Sequence, residues 1–586
     1  MDLFQVTIDG QIVNVAPGTT ILQAAEDAGV KIPTLCHHPD QQVKAACRVC
    51  VVEVEGSRVM QPACAYPVYN GMVVHTNTMA VREVRRTVLE LLLTHHPQDC
   101  LQCERNLHCE LQTLTQEAGI RQVEFPQELR NLPVDESSGA VARDPNKCIN
   151  CRRCIEACGE LQGVDILASI NRGYDTVVGT GLNKSLADLA CVLCGQCIQA
   201  CPVGALREVD HTQQVWDALN DPDVHVVVQT APAVRVALGE ELGYPVGSGV
   251  TKKMTAALRR LGFDKVFDTD FTADLTIMEE GSELLDRIKN GGTLPMITSC
   301  SPGWIKYMEH YYPDMLDHLS TCKSPQQMFG ALAKTFYPQT QGMDPSKIFV
   351  VSVMPCTAKK YEANRPEMRA SGYQDVDVVL TTRELVHMIK QAGLNITALP
   401  DEEFDDPLGL STGAGVIFGS TGGVMEAALR TVYEIVTGDE LPSLDFEVVR
   451  GLEGTKRASV ELIIPEAAAD GEVGTSLQVN VAVASSLSEA KKLIELVKTG
   501  QEEIHFIEIM CCPGGCIGGG GQPRPTTNQT RTARMNAIYR EDAGMPIRKS
   551  HENPAVASLY ADFLGSPLGS VSHKLLHTHY TKRKVY

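Results

Sequence analysis

Strict alternation opens the chain. Phe4-Gln5-Val6-Thr7-Ile8 puts apolar residues at every second place, Asp9-Gly10 is a hairpin turn signal, and Gln11-Ile12-Val13-Asn14-Val15 returns, so two antiparallel strands are expected. Thr19-Thr20 then precedes the helix-like Ile21-Leu22-Gln23-Ala24-Ala25-Glu26-Asp27-Ala28, which should end before Gly29. From Thr78 the period changes. Val81, Val84, Val88, Leu91 and Leu92 recur at helical spacing, so a helix should deliver His95 and His96. Beyond residue 210, β-like runs at 224–228 and 348–353 alternate with helical stretches such as 382–391, the pattern of α/β lobes. Four units follow: a small β-rich domain (1–78), a second small unit (79–140), a ferredoxin-sized internal repeat (141–209) and one or two α/β lobes (210–586). No low-complexity linker separates them, which predicts tight docking.

Composition narrows the function. At about 100–200 residues per domain, 586 residues imply roughly three to five domains. Lys and Arg number 52 against 72 Asp and Glu, a net charge of −20, which argues against nucleic acid as a partner. No apolar run approaches the roughly 18 residues of a membrane span. Residues 1–6 lack the basic region and apolar core of a signal peptide, so a cytoplasmic location is expected. The 21 cysteines are an odd number, which excludes a fully paired intrachain disulfide set. Thiols that serve metals or redox chemistry remain.

Their spacing says which. Cys148, Cys151, Cys154 and Cys158 follow C-x2-C-x2-C-x3-C, and Cys191, Cys194, Cys197 and Cys201 repeat it, the last followed by Pro202. One turning loop can aim three thiolates at a cubane while the fourth reaches the neighbouring cluster. Cys148, Cys151, Cys154 and Cys201 are therefore assigned to one [4Fe–4S] cluster, and Cys191, Cys194, Cys197 and Cys158 to another. Two zinc sites fit less well, because structural zinc uses paired C-x2–4-C hooks. Upstream, Cys36, Cys47, Cys50 and Cys64 share the central C-x2-C and remote fourth ligand of a plant-type [2Fe–2S] site. This layout resembles the [2Fe–2S] domain of the large iron–sulfur subunit of respiratory NADH dehydrogenase and of modular iron-only hydrogenases. Cys100, Cys103 and Cys109 are three thiols preceded by His96. Imidazole can complete such a set, although His95 competes with it and a helix-end histidine is the plain alternative. The H-x3-C-x2-C-x5-C pattern is similar to the histidine-ligated cluster of the same two families, which favours His96. His37 and His38 read as loop residues.

Three motifs remain: Thr298-Ser299-Cys300-Ser301-Pro302-Gly303-Trp304, Met354-Pro355-Cys356-Thr357-Ala358-Lys359, and Glu508-Ile509-Met510-Cys511-Cys512-Pro513-Gly514-Gly515-Cys516 with the glycines that follow. They resemble the active-site signatures of [FeFe] (iron-only) hydrogenase, and the whole chain is similar to the catalytic subunit of NADP-reducing or electron-bifurcating hydrogenase complexes. The resemblance implies a multidomain α+β and α/β fold: a β-grasp [2Fe–2S] domain, a His/Cys3 [4Fe–4S] domain, a 2[4Fe–4S] ferredoxin domain, and a two-lobed H-cluster domain ending in a small-subunit-like segment. It implies one [2Fe–2S] cluster, three accessory [4Fe–4S] clusters, and an H-cluster, a cubane joined to a di-iron unit with CO, cyanide and a bridging dithiolate amine. Cys356, Cys512 and Cys516 would anchor the cubane, Cys516 bridging; Lys359 would donate to a cyanide, and Met354 and Met510 would wall the di-iron unit. The proton path would map to Cys300, Glu280, Ser320, Glu283 and Arg287, although Glu279, Glu280 and Glu283 also fit a solvated helix face. One departure stands out. Where the family has a second cysteine this chain has Ser301, so the fourth cubane ligand is Ser301, Cys300 or a compensating thiol such as Cys511. Cys322 has no assigned role.

The expected activity is reversible oxidation of H2, with electrons passed to flavin/NAD(P)-binding and [2Fe–2S] partner subunits or to ferredoxin. Maturation factors would also be partners, and no membrane span is expected. The chain has no dinucleotide fingerprint; Gly419-Ser420-Thr421-Gly422-Gly423 is neither a P-loop nor a Rossmann signature and reads as packing near the cluster. A non-catalytic electron-wire subunit of an NADH dehydrogenase-like complex would lack the three C-terminal motifs. A hydrogenase-like H2 sensor or scaffold is the other alternative. The tail Lys582-Arg583-Lys584 reads as solvated.

Overall fold

The computed structural model describes residues 3–441, 443–464 and 475–585. The opening alternation folds as expected. Strands Phe4–Ile8 and Gln11–Val15 pair antiparallel with Ile8 opposite Gln11, and Asp9 and Gly10 both take positive φ, 47° and 86°, as a tight hairpin turn requires. They enter a five-stranded sheet with Val73–His75, Val51–Val54 and Gln61–Pro62. Helix Ile21–Asp27 starts at a capping box between Thr20 and Gln23 and buries Ile21, Leu22, Ala24 and Ala25 in the same core as Val6 and Ile8. Helix Met79–Leu93, capped by Thr78, ends just before the two histidines.

In the ferredoxin-sized repeat, strand Val141–Arg143 pairs with Leu206–Glu208, so the segment's two ends meet. Beyond it stand two four-stranded sheets. Strands Lys265–Asp268, His225–Thr230, Ile348–Met354 and Val378–Thr381 form a wholly parallel one, whose near-continuous valine runs suit strands covered on both faces. Met296–Ile297, Phe506–Met510, Thr475–Ser485 and Thr455–Ile464 form the other, with one antiparallel pair. Helix Thr382–Gln391 lies where its periodicity predicted, with a Thr381/Glu384 capping box.

The units are docked, as the missing linkers suggested. Asp40 of the first domain pairs with Arg531 at 2.9 Å. Gln196 and Gln199 donate to the carbonyls of Gly518 and Gly519, both at 2.9 Å. In the terminal basic run Lys582 and Lys584 are exposed, as their sequence reading expected, and Arg583 alone differs: its guanidinium lies 2.5 Å from Glu309 and over the Tyr361 ring. Arg583 looked solvated because its partners are more than 200 residues away.

Candidate active site and electron relay

The eight thiols of the repeat converge in two groups. Cys148, Cys151, Cys154 and Cys201 line one hollow, and Cys158, Cys191, Cys194 and Cys197 line the next, so the fourth cysteine of each run faces the other run's three. Each loop turns into a short helix through a left-handed residue, Arg152 (φ 64°) in the first and Gly195 (φ 72°) in the second. Glycine is required at the second because a Cβ there would lie 2.9 Å from Gly520 Cα.

Cys36, Cys47, Cys50 and Cys64 form a third group. The Cys47 thiol donates to Cys36 and lowers it to about 5, and Cys64 likewise lowers Cys50 to about 7. At 96 the structure separates the two histidines. His95 engages the Tyr174 hydroxyl at 2.9 Å, whereas His96 is buried and its Nδ1 has no partner among the described residues. His96 lines a hollow with Cys100 and Cys109. Burial lowers its pKa, which favours the neutral, ligating imidazole.

The three C-terminal motifs meet at one cavity. Met354 and Met510 stand at the carboxyl ends of strands from the two sheets, and both line it, with Cys300, Ser301, Cys356, Lys359, Cys511, Cys512 and Cys516. A crevice at the carboxyl ends of parallel strands is where such folds bind ligands. Lys359 Nζ lies 2.8 Å from Glu362 and donates to the Cys300 carbonyl at 3.1 Å. The Ser301 hydroxyl accepts the Cys511 N–H at 3.2 Å, and the Cys511 thiol lies within hydrogen-bonding reach of Cys194 and Cys512, between this cavity and the nearer accessory hollow. Gly515 (φ 88°) packs on Gly419–Gly423, where a Cβ would sit 2.5 Å from Thr421 N. That glycine-rich loop is therefore packing, and Glu508 pins it by accepting Gly422 N and Met425 N, both at 2.7 Å.

These surroundings fit iron–sulfur groups. Burial pushes the Cys516, Cys151 and Cys158 thiols up to about 12, with neighbouring cysteines adding to it, so thiolates need a compensating cation to persist there. The remaining walls of the main cavity are largely apolar side chains and glycine backbone.

Beside this cavity lies a string of carboxyls and hydroxyls. Burial raises the Cys300 thiol well above its ordinary value, and Glu280 adds to that. Burial also pushes Glu280 up to about 8, opposed by a hydrogen bond from Ser320. Ser320 Oγ donates to Glu283 Oε2 at 3.2 Å, and Arg287 reaches Glu283 Oε1 at 2.7 Å. The reading of Glu279, Glu280 and Glu283 as a solvated face does not survive, since all three are buried. Glu279 instead accepts from Tyr560 Oη at 2.6 Å and Leu568 N at 2.9 Å. Cys322, unassigned by sequence, is fully buried with its thiol 3.7 Å from Glu283. His577, 3.1 Å from Glu279, carried no sequence signal at all.

Residues 224–520 match the C-terminal domain of the iron only hydrogenase large subunit, and 528–583 the iron hydrogenase small subunit. Residues 2–79 match a 2Fe-2S iron-sulfur cluster binding domain, 85–124 the NADH-ubiquinone oxidoreductase-G iron-sulfur binding region, and 138–207 the ferredoxin-like domain of NADH-quinone oxidoreductase subunit 3. The chain is 52% identical to NADP-reducing hydrogenase subunit HndD of Solidesulfovibrio fructosivorans, with 100% of both chains covered. It is 41% identical to iron hydrogenase 1 of Clostridium pasteurianum, covering 98% of this chain and 100% of that one. A solved variant of [FeFe]-hydrogenase HydA1 from Chlamydomonas reinhardtii superposes with a TM-score of 0.58 at 43% identity, over 64% of this chain and all of the other. Thiols, motifs and relatives thus agree that this chain belongs to the iron-only hydrogenase family, an enzyme that oxidises H2 at an H-cluster and relays the electrons through 2Fe–2S and 4Fe–4S clusters.

Proposed function

We propose that the chain is the H2-activating subunit of a cytoplasmic, NADP-reducing complex, working reversibly and passing electrons to flavin/NAD(P)-binding and [2Fe–2S] subunits or to ferredoxin. The convergence of Cys300, Cys356, Cys512, Cys516, Lys359, Met354 and Met510 on one cavity, beside the Cys158/Cys191/Cys194/Cys197 hollow, carries this reading. The cofactor set is one [2Fe–2S] cluster on Cys36, Cys47, Cys50 and Cys64, three accessory [4Fe–4S] clusters and an H-cluster. The His96/Cys100/Cys103/Cys109 set and the two crossed sets of the repeat hold the accessory cubanes. Four units, 1–78, 79–140, 141–209 and 210–586, carry them; the five-stranded sheet with its packed helix supports a β-grasp fold for the first, and the two four-stranded sheets support two lobes in the last.

When bound, the H-cluster, with CO, cyanide and a dithiolate amine on its di-iron unit, supplies the heterolytic splitting of H2 and the first electron acceptor. The protein's part is ligation, exclusion of water and proton movement. Cys356, Cys512 and Cys516 hold the cubane, and Lys359, fixed between Glu362 and the Cys300 carbonyl, presents a charged donor to the cavity. Cys300 passes protons to Glu280, Glu280 to Ser320, Ser320 to Glu283 Oε2, and Glu283 to the Arg287 side. Serine can accept and donate in the same step, which lets it join two carboxyls.

The test is anaerobically matured protein assayed for H2-dependent viologen reduction, with infrared spectroscopy for bound CO and cyanide. Turnover with those bands is expected. Fully iron-loaded protein lacking both overturns the proposal and leaves an electron-wire subunit. NADP reduction should appear only when the flavin-bearing partner is added.

A further inference from the structure

Helix Thr269–Asn290 carries a third buried glutamate that the path above does not use. Glu279 and Glu283 stand one helical turn apart, and two residues from other segments join them. Thr321 Oγ1 lies 3.1 Å from Glu283 Oε2 and 2.7 Å from His577 Nδ1. His577 Nε2 lies 3.1 Å from Glu279 Oε2. Backbone pairing fixes the contact: Lys323 N donates to Leu576 O and Thr578 N to Thr321 O, both at 2.7 Å. The imidazole therefore bridges a hydroxyl bonded to Glu283 and a fully buried carboxylate, Glu279.

We propose that Thr321 and His577 form a side arm of the proton route, storing a proton beside Glu279 while Glu283 is cleared for the next one. The inference rests on the reading of Glu283 as a proton carrier. The transfer balances. With His577 neutral, its Nε2–H donates to Glu279 and its Nδ1 accepts the Thr321 hydroxyl. A protonated Glu283 gives its proton to Thr321 Oγ1 as the threonine hydrogen moves to Nδ1. One O–H bond breaks at Glu283 and one at Thr321, while one O–H forms at Thr321 and one N–H at His577. The products are a Glu283 carboxylate, an intact threonine hydroxyl now pointing at it, and an imidazolium paired with Glu279. Tyr560 Oη and Leu568 N also donate to the Glu279 carboxylate that pairs with the ring. Other titratable groups near this arm are Cys322, 3.7 Å from Glu283, Arg287 on the far oxygen of Glu283, and Tyr580, whose hydroxyl donates to the Ser320 carbonyl. His573 stacks on His577 at 4.8 Å with the planes 8° apart, and opposes storage only when itself charged. Two protons leave per H2 oxidised, so a holding site next to a single-file path relieves the second.

The test uses anaerobically matured full-length enzyme and viologen-linked H2 oxidation. Thr321→Val should slow turnover about fivefold, the weight of one hydrogen bond, and Thr321→Ser should restore it. Infrared difference spectra of protein with isotope-labelled histidine should show an imidazolium signal in the wild type and in Thr321→Ser but not in Thr321→Val. A Thr321→Val enzyme at the wild-type rate with the signal intact overturns the arm, as does a Thr321→Ser enzyme as slow as the valine variant, which would mark a packing role. Should Thr321→Val not fold, His577→Gln keeps most of the volume without the charge; wild-type rates there also overturn the proposal. Ser320→Ala separates the two readings. If it is slow while Thr321→Val is not, only the arm fails; if it runs at the wild-type rate, the Glu283 route itself fails.

Discussion

Glu280→Gln should pull proton carriage and folding stability in opposite directions. The side chain is buried at 3% exposure, and burial raises its pKa from 4.5 to about 8. In the unfolded chain the proton leaves near 4.5; in the folded chain it stays until about 8. Between these values the folded state binds more protons than the unfolded state, so this group's contribution to stability falls as pH rises and levels off above about 8. Fully expressed, that gap is roughly 5 kcal/mol. Glutamine keeps the shape and removes the titration, so the variant should lose less stability than the wild type on going from acid to alkaline buffer. It cannot release and regain a proton, and H2 oxidation should drop by about 100-fold or more. Denaturant midpoints at several pH values and viologen-linked rates on the same preparations check both halves. A variant whose midpoint follows the wild-type pH dependence would refute the burial argument. One that turns over H2 at the wild-type rate would refute the role of Glu280 in the path.

Three other substitutions test separate parts of the site. His96→Cys exchanges a neutral ligand for a thiolate and should lower that cluster's reduction potential; an EPR-monitored titration showing an unchanged or higher potential contradicts His96 ligation. Lys359→Met leaves the buried Glu362 carboxylate without its cation, at a cost of about 3–5 kcal/mol, and adding Glu362→Gln should return much of the lost denaturation midpoint. Gly515→Ala places a Cβ 2.5 Å from Thr421 N in a left-handed residue and should abolish iron loading of the cavity, whereas Gly438→Ala, also left-handed but facing open space, should cost only about 1–2 kcal/mol and leave iron content intact.

What the sequence reveals about this site is what is local in it. Cysteine spacing reflects the reach of one loop, so which thiols of the repeat share a hollow could be read from spacing, and the helix after Thr78 follows from its period. What distinguishes His95 from His96 was harder to read, because Tyr174, which engages His95, lies 79 residues away. The glutamates at 279, 280 and 283 defeated pattern reading for a physical reason. Charged residues at helical spacing look like a wet face unless their partners are known, and those of Glu279 lie 281 to 298 residues further along.

Those partners belong to the C-terminal segment, which makes it more than a cover. Residues 528–583 match a separate small-subunit family, yet here they lie on the same chain as the catalytic motifs and supply groups to the interior of the large domain. Tyr560, Leu568 and His577 satisfy Glu279, and Arg583 joins Arg365 in neutralising the fully buried Glu309. A buried carboxylate without such donors would take up a proton or destabilise the fold. The large domain therefore presents buried acidic groups, Glu279 and Glu309, whose hydrogen-bond donors the docked C-terminal segment completes. Undocking would strip Glu279 of Tyr560, Leu568 and His577 and would leave Glu309 with Arg365 alone of its two guanidinium partners.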